Sequence, residues 1–236
     1  MVTAPLLEIV AVTPRSRLLA VDLSAGDVGF KAGQAILIGW HGDPDRRPYS
    51  IACSPEAAAE RRRLELLVSL DAPGELPKRL PQASRGMLVD IEGPLGTFTF
   101  PELPAQQRLL FVAGGTGIAP LRAMIDHAIR HHPNTRLSLL YSARRSDEFA
   151  FFNELREHEQ SGRLELHATV TRDEGIEGWS GGRGRIGRTH FESVLHEPAA
   201  TLCFVCGPAL MVSDAVATLQ LLGVPETQIR TEGWVR

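Results

Sequence analysis

The feature that most constrains the fold is a change of pattern near residue 101. After PELPAQQ (residues 101–107), strand-like apolar runs alternate with stretches of helical period. RLLFVAGG reads as a buried strand, and LRAMIDHAIRHH (residues 121–132) as a helix with apolar residues three and four apart. RLSLLYSA, RLELHATVTR and TLCFVCG are the next strands. DEFAFFNELREHEQ, THFESVLHE and ALMVSDAVATLQLLG are the next helices, the second opened by a Thr189–Glu192 capping box. Such alternation predicts a parallel, doubly wound sheet, with ligands at the carboxyl ends of its strands. Before residue 101 the pattern differs. LLEIVAVTP, LLAVDL, QAILIGW, PYSIA, RLELLVSL, MLVDIEG and TFTF are short runs punctuated by Gly and Pro. They predict an antiparallel sandwich or barrel, with a helical turn or two at residues 74–80.

Composition excludes several classes. With 43% hydrophobic and 22% charged residues the chain is neither disordered nor fibrous. A net charge of -3 gives no general attraction for nucleic acid. No apolar run approaches the roughly 20 residues of a membrane span, so no membrane insertion is expected. MVTAPLLEIV lacks the basic start and apolar centre of a signal peptide, which sets a cytoplasmic expectation. Three cysteines, Cys53, Cys203 and Cys206, form no disulfide framework and are too few for a four-thiolate iron–sulfur cluster.

GGTGIAP (residues 114–120) carries the most specific chemistry. It joins a strand to a helix, where glycines let backbone amides approach a phosphate and the helix start adds partial positive charge. Pro120 stands where the usual dinucleotide fingerprint has a glycine, so this is a variant of it. Two other matches are rejected. GRGRIG (residues 182–187) lies in a Gly/Arg loop well past its preceding strand, and its Arg185 and Ile186 do not begin a helix; GWSGG (residues 178–182) lacks the adjoining strand and helix of a nucleophile elbow. C-x-x-C at Cys203 and Cys206 lies in a strand rather than at a helix start, which disfavours a redox dithiol. His127 and His131 have the spacing of a metal pair, but no acidic partner is evident, and no metal is expected. Arg61, Arg62 and Arg63 read as a solvated turn.

RPYS, GPLGTF, GGTGIAP, CGP and a terminal Glu-Gly-Trp occur here in that order. Together they resemble the ferredoxin–NADP reductase superfamily over nearly the whole chain. The resemblance implies a flavin-binding antiparallel β-barrel (residues 1–101) followed by an NAD(P)-binding α/β domain with a C-terminal tail (residues 102–236). It implies a flavin site of Arg47 on the diphosphate, Tyr49 against the ring and Ser50 near flavin N5, with Pro48 among the cofactor-binding positions. Val68, Leu70, Gly74, Glu75, Leu76 and Pro77 complete that site. The family's helix start is Gly-x-x-Ser/Thr. Pro77 replaces the hydroxyl and removes one phosphate contact. FAD is expected on the strength of Arg47, with FMN as the alternative.

The same resemblance assigns the pyridine nucleotide to Gly115, Thr116, Gly117 and Pro120, with Cys206, Gly207 and Pro208 at the nicotinamide. Ser50, Cys206 and Glu232 surround the hydride transfer, and Trp234 is the family's terminal aromatic. After RLSLLYSA come Arg144 and Arg145, where NAD enzymes often carry an acid for the ribose. Thr171, Arg172 and Arg185 follow at the next strand end and in the glycine loop. Guanidinium groups suit a 2′-phosphate, so NADPH is expected over NADH. The implied activity is a flavin-dependent NAD(P)H oxidoreductase that delivers electrons to a separate ferredoxin, flavodoxin or oxygenase component. The alternatives are a free-flavin or small-molecule reductase and a non-catalytic nucleotide-binding regulatory protein.

Overall fold

A computed structural model describes the chain apart from residues 25, 27, 103, 173–178, 235 and 236; of Trp234 only the backbone is described. The chain forms two compact units. One comprises Met1–Phe100 with Ala119–Arg130, the other Pro101–Ile118 with His131–Val235.

The first unit holds strands β1 (Val2–Thr13), β2 (Ser16–Asp22), β3 (Ala35–Trp40), β4 (Arg47–Ser50), β5 (Arg63–Ser69) and β6 (Leu88–Leu95). They form one antiparallel sheet in the order β4-β3-β6-β1-β2-β5. A bridge between Ile51 and Leu66 joins its two edge strands and closes it into a barrel. Leu6, Leu19, Ile36, Ile38, Ile51, Leu64 and Leu66 fill the interior.

Two short helices interrupt the strands, α1 (Pro55–Arg61) and α2 (Glu75–Arg79). The first was not expected from strand-like spacing, yet its signals are local. Ser54 Oγ accepts from Ala57 N at 3.1 Å, and Pro55 pre-sets the first turn. Arg62, at φ +51, ends it. TFTF is not a strand: Phe98 and Phe100 are buried, but the Phe100 amide goes to Ala32 O at 2.9 Å, outside the ladders. Apolar alternation there reports burial of a loop.

Residues 119–130 group with the barrel through charged contacts around Glu65. The Glu65 side chain is 1% exposed. Arg122 Nη1 donates to Glu65 Oε2 at 2.7 Å and to Ala52 O at 2.8 Å. Arg63 holds the other oxygen at 2.7 Å, with Arg61 at 3.4 Å. Burial alone would raise the Glu65 pKa, but Arg122 and Arg63 outweigh it and hold the carboxyl below its ordinary value. Arg61 and Arg63 are thus partners of a buried acid rather than a solvated turn.

The second unit contains β7 (Arg108–Gly114), α3 (Ile118–His131, shared between the units), β8 (Arg136–Ala143), α4 (Phe152–Gln160) and β9 (Glu165–Val170). β10 (Gly182–Arg183), α5 (Arg188–Val194), β11 (Thr201–Pro208), α6 (Ala209–Leu221) and β12 (Ile229–Trp234) follow. All strands are parallel, in the order β10-β9-β8-β7-β11-β12.

Three local expectations change. The terminal segment is a strand paired with β11. α4 starts at Phe152, because Phe149 turns inward to stack on Phe152 and meet the Tyr141 ring edge-on. α5 begins at Arg188, with His190 Nδ1 accepting from Gly187 N at 3.3 Å where a Thr189 cap was expected. Among the described residues no helix is long and apolar enough to cross a membrane.

Candidate active site and cofactor-binding residues

In the second unit the chain runs outward from β7 through β8, β9 and β10, then returns to place β11 on the other side of β7. The carboxyl ends of β7 and β11 flank this reversal, where open α/β sheets bind ligands. Gly115–Gly117 leaves β7 as a single 3₁₀ turn into α3. Gly115 is exposed at φ +55 with open space where a side chain would be. Gly117 is buried, and a Cβ there would collide with the Cys206 carbonyl and lie 2.8 Å from Gly207 N. One glycine therefore exposes backbone, and another lets CGP pass close behind it. Thr116 is half-buried between them, and Pro120 is buried in the first turns of α3. Tyr141, unmarked by any motif, fixes this turn. Its fully buried hydroxyl donates to Gly115 O and accepts from Ala150 N, both at 3.1 Å.

Register brings two expected catalytic residues together. Cys206 of β11 is opposite Glu232 of β12, Gly207 opposite Gly233 and Pro208 opposite Trp234. Cys206 is buried, and its Sγ lies 3.9 Å from Glu232 Oε2, with the thiol as donor. The strand-forming tail thus carries its acid to the end of β11. Cys203, an odd number of residues away, faces the opposite side. Burial pushes its thiol up to about 12, so it stays protonated. All three cysteines are free thiols.

The ends of β8 and β9 lie side by side. Arg172 N donates to Arg144 O at 2.8 Å, and Thr171 N to Ala143 O at 3.0 Å. Arg172 and Arg185 are exposed, and Arg144 and Thr171 are half-buried. An acid does lie nearby, two residues beyond the strand-end arginines. Asp147, in a 3₁₀ turn, takes Arg145 Nε at 3.3 Å. Of GWSGG, Gly178 lies outside the described residues; Trp179 donates to Gly182 O and stacks on Phe149.

In the first unit Arg47 and Pro48 open edge strand β4 and are exposed. Tyr49 is half-buried. Burial pushes its hydroxyl up to about 12, opposed by Arg47 and assisted by Asp45. Ser50 ends the strand, buried, opposite Ala35. A strand end is what Ser50 needs to escape strict alternation with Arg47 and Tyr49. Val68 is fully buried in the barrel, and Leu70 packs against the core.

Gly74 precedes α2 at φ +112, and Leu76 and Pro77 are buried within it. A Cβ on Gly74 would lie 2.5 Å from the movable Arg47 Nε, and it is the backbone at φ +112 that favours glycine there. Asp45, not singled out by sequence, bridges the two. Its Oδ1 accepts from Arg47 Nε at 3.0 Å and its Oδ2 from Glu75 N at 2.7 Å. A guanidinium and a helix-start amide converging on one carboxylate make an anion-binding donor set, which fits a flavin phosphate. Pro77 contributes no hydroxyl to it.

The FAD-binding domain model of oxidoreductases matches residues 3–100, and the NAD-binding domain model residues 111–217. Ferredoxin--NADP reductase B of Sorangium cellulosum is 32% identical over 214 residues, 86% of this chain and 84% of that protein. A second relative, in the Na(+)-translocating NADH-quinone reductase of Klebsiella pneumoniae, is 31% identical over 207 residues, 79% of this chain. The chain spans 48%, about half, of that longer relative. The solved ferredoxin reductase of carbazole 1,9a-dioxygenase shares the fold, with a TM-score of 0.86 at 23% identity over 99% of this chain and 69% of that one. Two oxidoreductase domain models on the two sheets, and a relative matched over most of both lengths, lead to one assignment: the chain belongs to the ferredoxin–NADP reductase superfamily of FAD- and NAD(P)-dependent oxidoreductases.

Proposed function

We propose that the chain is a flavin-dependent NADPH oxidoreductase that passes hydride to bound FAD and delivers electrons to a separate acceptor, a ferredoxin, flavodoxin or oxygenase component. Residues 1–101 act as the flavin domain and 102–236 as the nucleotide domain. The observation that carries this reading is the convergence of Gly115, Gly117, Cys206 and Glu232 at the reversal of the parallel sheet. When bound, FAD supplies the hydride acceptor and releases electrons one at a time.

The chain's own residues bind and orient. Arg47 and the Glu75 amide are the donors for the flavin phosphate. Tyr49 offers an apolar ring face and stays un-ionised. The exposed backbone at Gly115 and the start of α3 take the nucleotide diphosphate. Cys206 and Glu232 hold a thiol and a carboxylate at the nicotinamide end, and Trp234 extends that strand.

Preference for NADPH rests on Arg144 and Arg172, whose backbones are bonded to each other at adjoining strand ends. Each charged hydrogen bond to a 2′-phosphate is worth about 1.5–3 kcal/mol. Arg144→Ala with Arg172→Ala is expected to lower the NADPH/NADH ratio of kcat/KM by about a hundredfold. An unchanged ratio removes the NADPH assignment and leaves the family assignment intact. A second reading, reduction of flavin as an exchangeable substrate, is favoured by Pro77, whose ring withholds one phosphate contact.

A further inference from the structure

Asp45 stands outside RPYS, yet its carboxylate occupies the donors that a flavin phosphate needs. Oδ1 is on Arg47 Nε, and Oδ2 is on the Glu75 amide. Oδ2 also lies 2.9 Å from where a Cβ on Gly74 would stand, inside the notch that this glycine opens. The residue is anchored. Its amide donates to Asp43 Oδ1 at 2.9 Å, and a Cβ on Gly39 would come within 2.5 Å of its carbonyl. Its side chain is only 28% exposed. Neighbouring charges are engaged in pairs: Lys78 lies 2.8 Å from Glu75, and Arg79 lies 3.7 Å from Asp43. Arg47 is the cation that Asp45 holds.

We propose that Asp45 is an intramolecular competitor for the flavin phosphate. It satisfies Arg47 and the start of α2 with its own negative charge, so the diphosphate of FAD gains those donors only by displacing it. Any carboxylate that stays close repels the phosphate directly. Together with the hydroxyl missing at Pro77, this makes the flavin readily exchangeable. The inference rests on the reading of Arg47 as the phosphate ligand.

The test is equilibrium binding of FAD, and separately of FMN, to the deflavinated full chain, followed by flavin fluorescence. Asp45→Asn keeps an acceptor oxygen for Glu75 N and removes the charge. It is expected to tighten FAD binding about tenfold and FMN binding in the same direction, since both carry a phosphate. In an Arg47→Ala background the same change should have little effect, because the contested donor is gone. Thermal unfolding checks that each variant folds, and Asp45→Ser replaces Asp45→Asn if that variant does not. Unchanged or weaker FAD binding by folded Asp45→Asn overturns the proposal and makes Asp45 a positioning residue for Arg47. If Arg47→Ala alone binds FAD as the unaltered chain does, the Arg47 reading fails first and the proposal falls with it.

Discussion

In the parallel sheet the candidate ligand groups are held by main-chain geometry. Gly115 presents open backbone, Gly117 clears the end of β11, and ladder register sets Cys206 opposite Glu232. In the barrel they are mainly side chains: Arg47 opens edge strand β4, Asp45 precedes it, and both meet at the amide that starts a five-residue helix. Where backbone passes directly behind backbone, as at Gly117, almost no added atom is tolerated. A site built from exposed side chains tolerates substitution, and its affinity is set by charge. The buried Arg122–Glu65 pair stands between these cases, being a side-chain contact made under core conditions.

Gly117→Ala should have the largest effect. Its Cβ would press on main-chain atoms of Cys206 and Gly207, which cannot move without shifting β11. A loss of about 4 kcal/mol in unfolding free energy, with loss of NADPH binding, is expected by denaturant titration and nucleotide binding. A Gly117→Ala variant as stable as the unaltered chain would mean that the strand ends are loosely held.

Arg122→Ala comes next. It strips one cation from a buried carboxylate and leaves Arg63 on the other oxygen. About 3 kcal/mol of stability should be lost at neutral pH. The sign with pH follows from the lowered Glu65 pKa. A depressed carboxylate stabilises above its unfolded value of about 4.3 and loses that contribution as pH falls through the folded value. The gap between variant and unaltered chain should therefore close in acid. A gap constant with pH would assign the loss to packing of the arginine stem instead.

How much of this was legible in the sequence follows the same division. GGTGIAP and CGP are contiguous, and strand-helix alternation predicted their placement at strand ends. RPYS was legible as a motif, with Arg47 exposed, Tyr49 half-buried against the barrel core and Ser50 buried at the end of β4. Asp45 was not legible, because its partner Glu75 is 30 residues away and the pairing depends on barrel closure. Glu65 was not singled out in the sequence: its partner Arg122 lies 57 residues away, and no local pattern encodes that pairing. The α1 signals at Ser54 and Pro55 were present and were outweighed by the surrounding strand spacing. The tail strand β12 was hidden because its pairing with β11 is parallel and non-local.

The most direct test of the central claim is an anaerobic titration of the FAD-loaded chain with NADPH, followed by flavin absorbance. Stoichiometric bleaching by NADPH is expected, with NADH producing it only at higher concentration. A chain that binds neither FAD nor FMN, or whose bound flavin stays oxidised with both nucleotides, would contradict it.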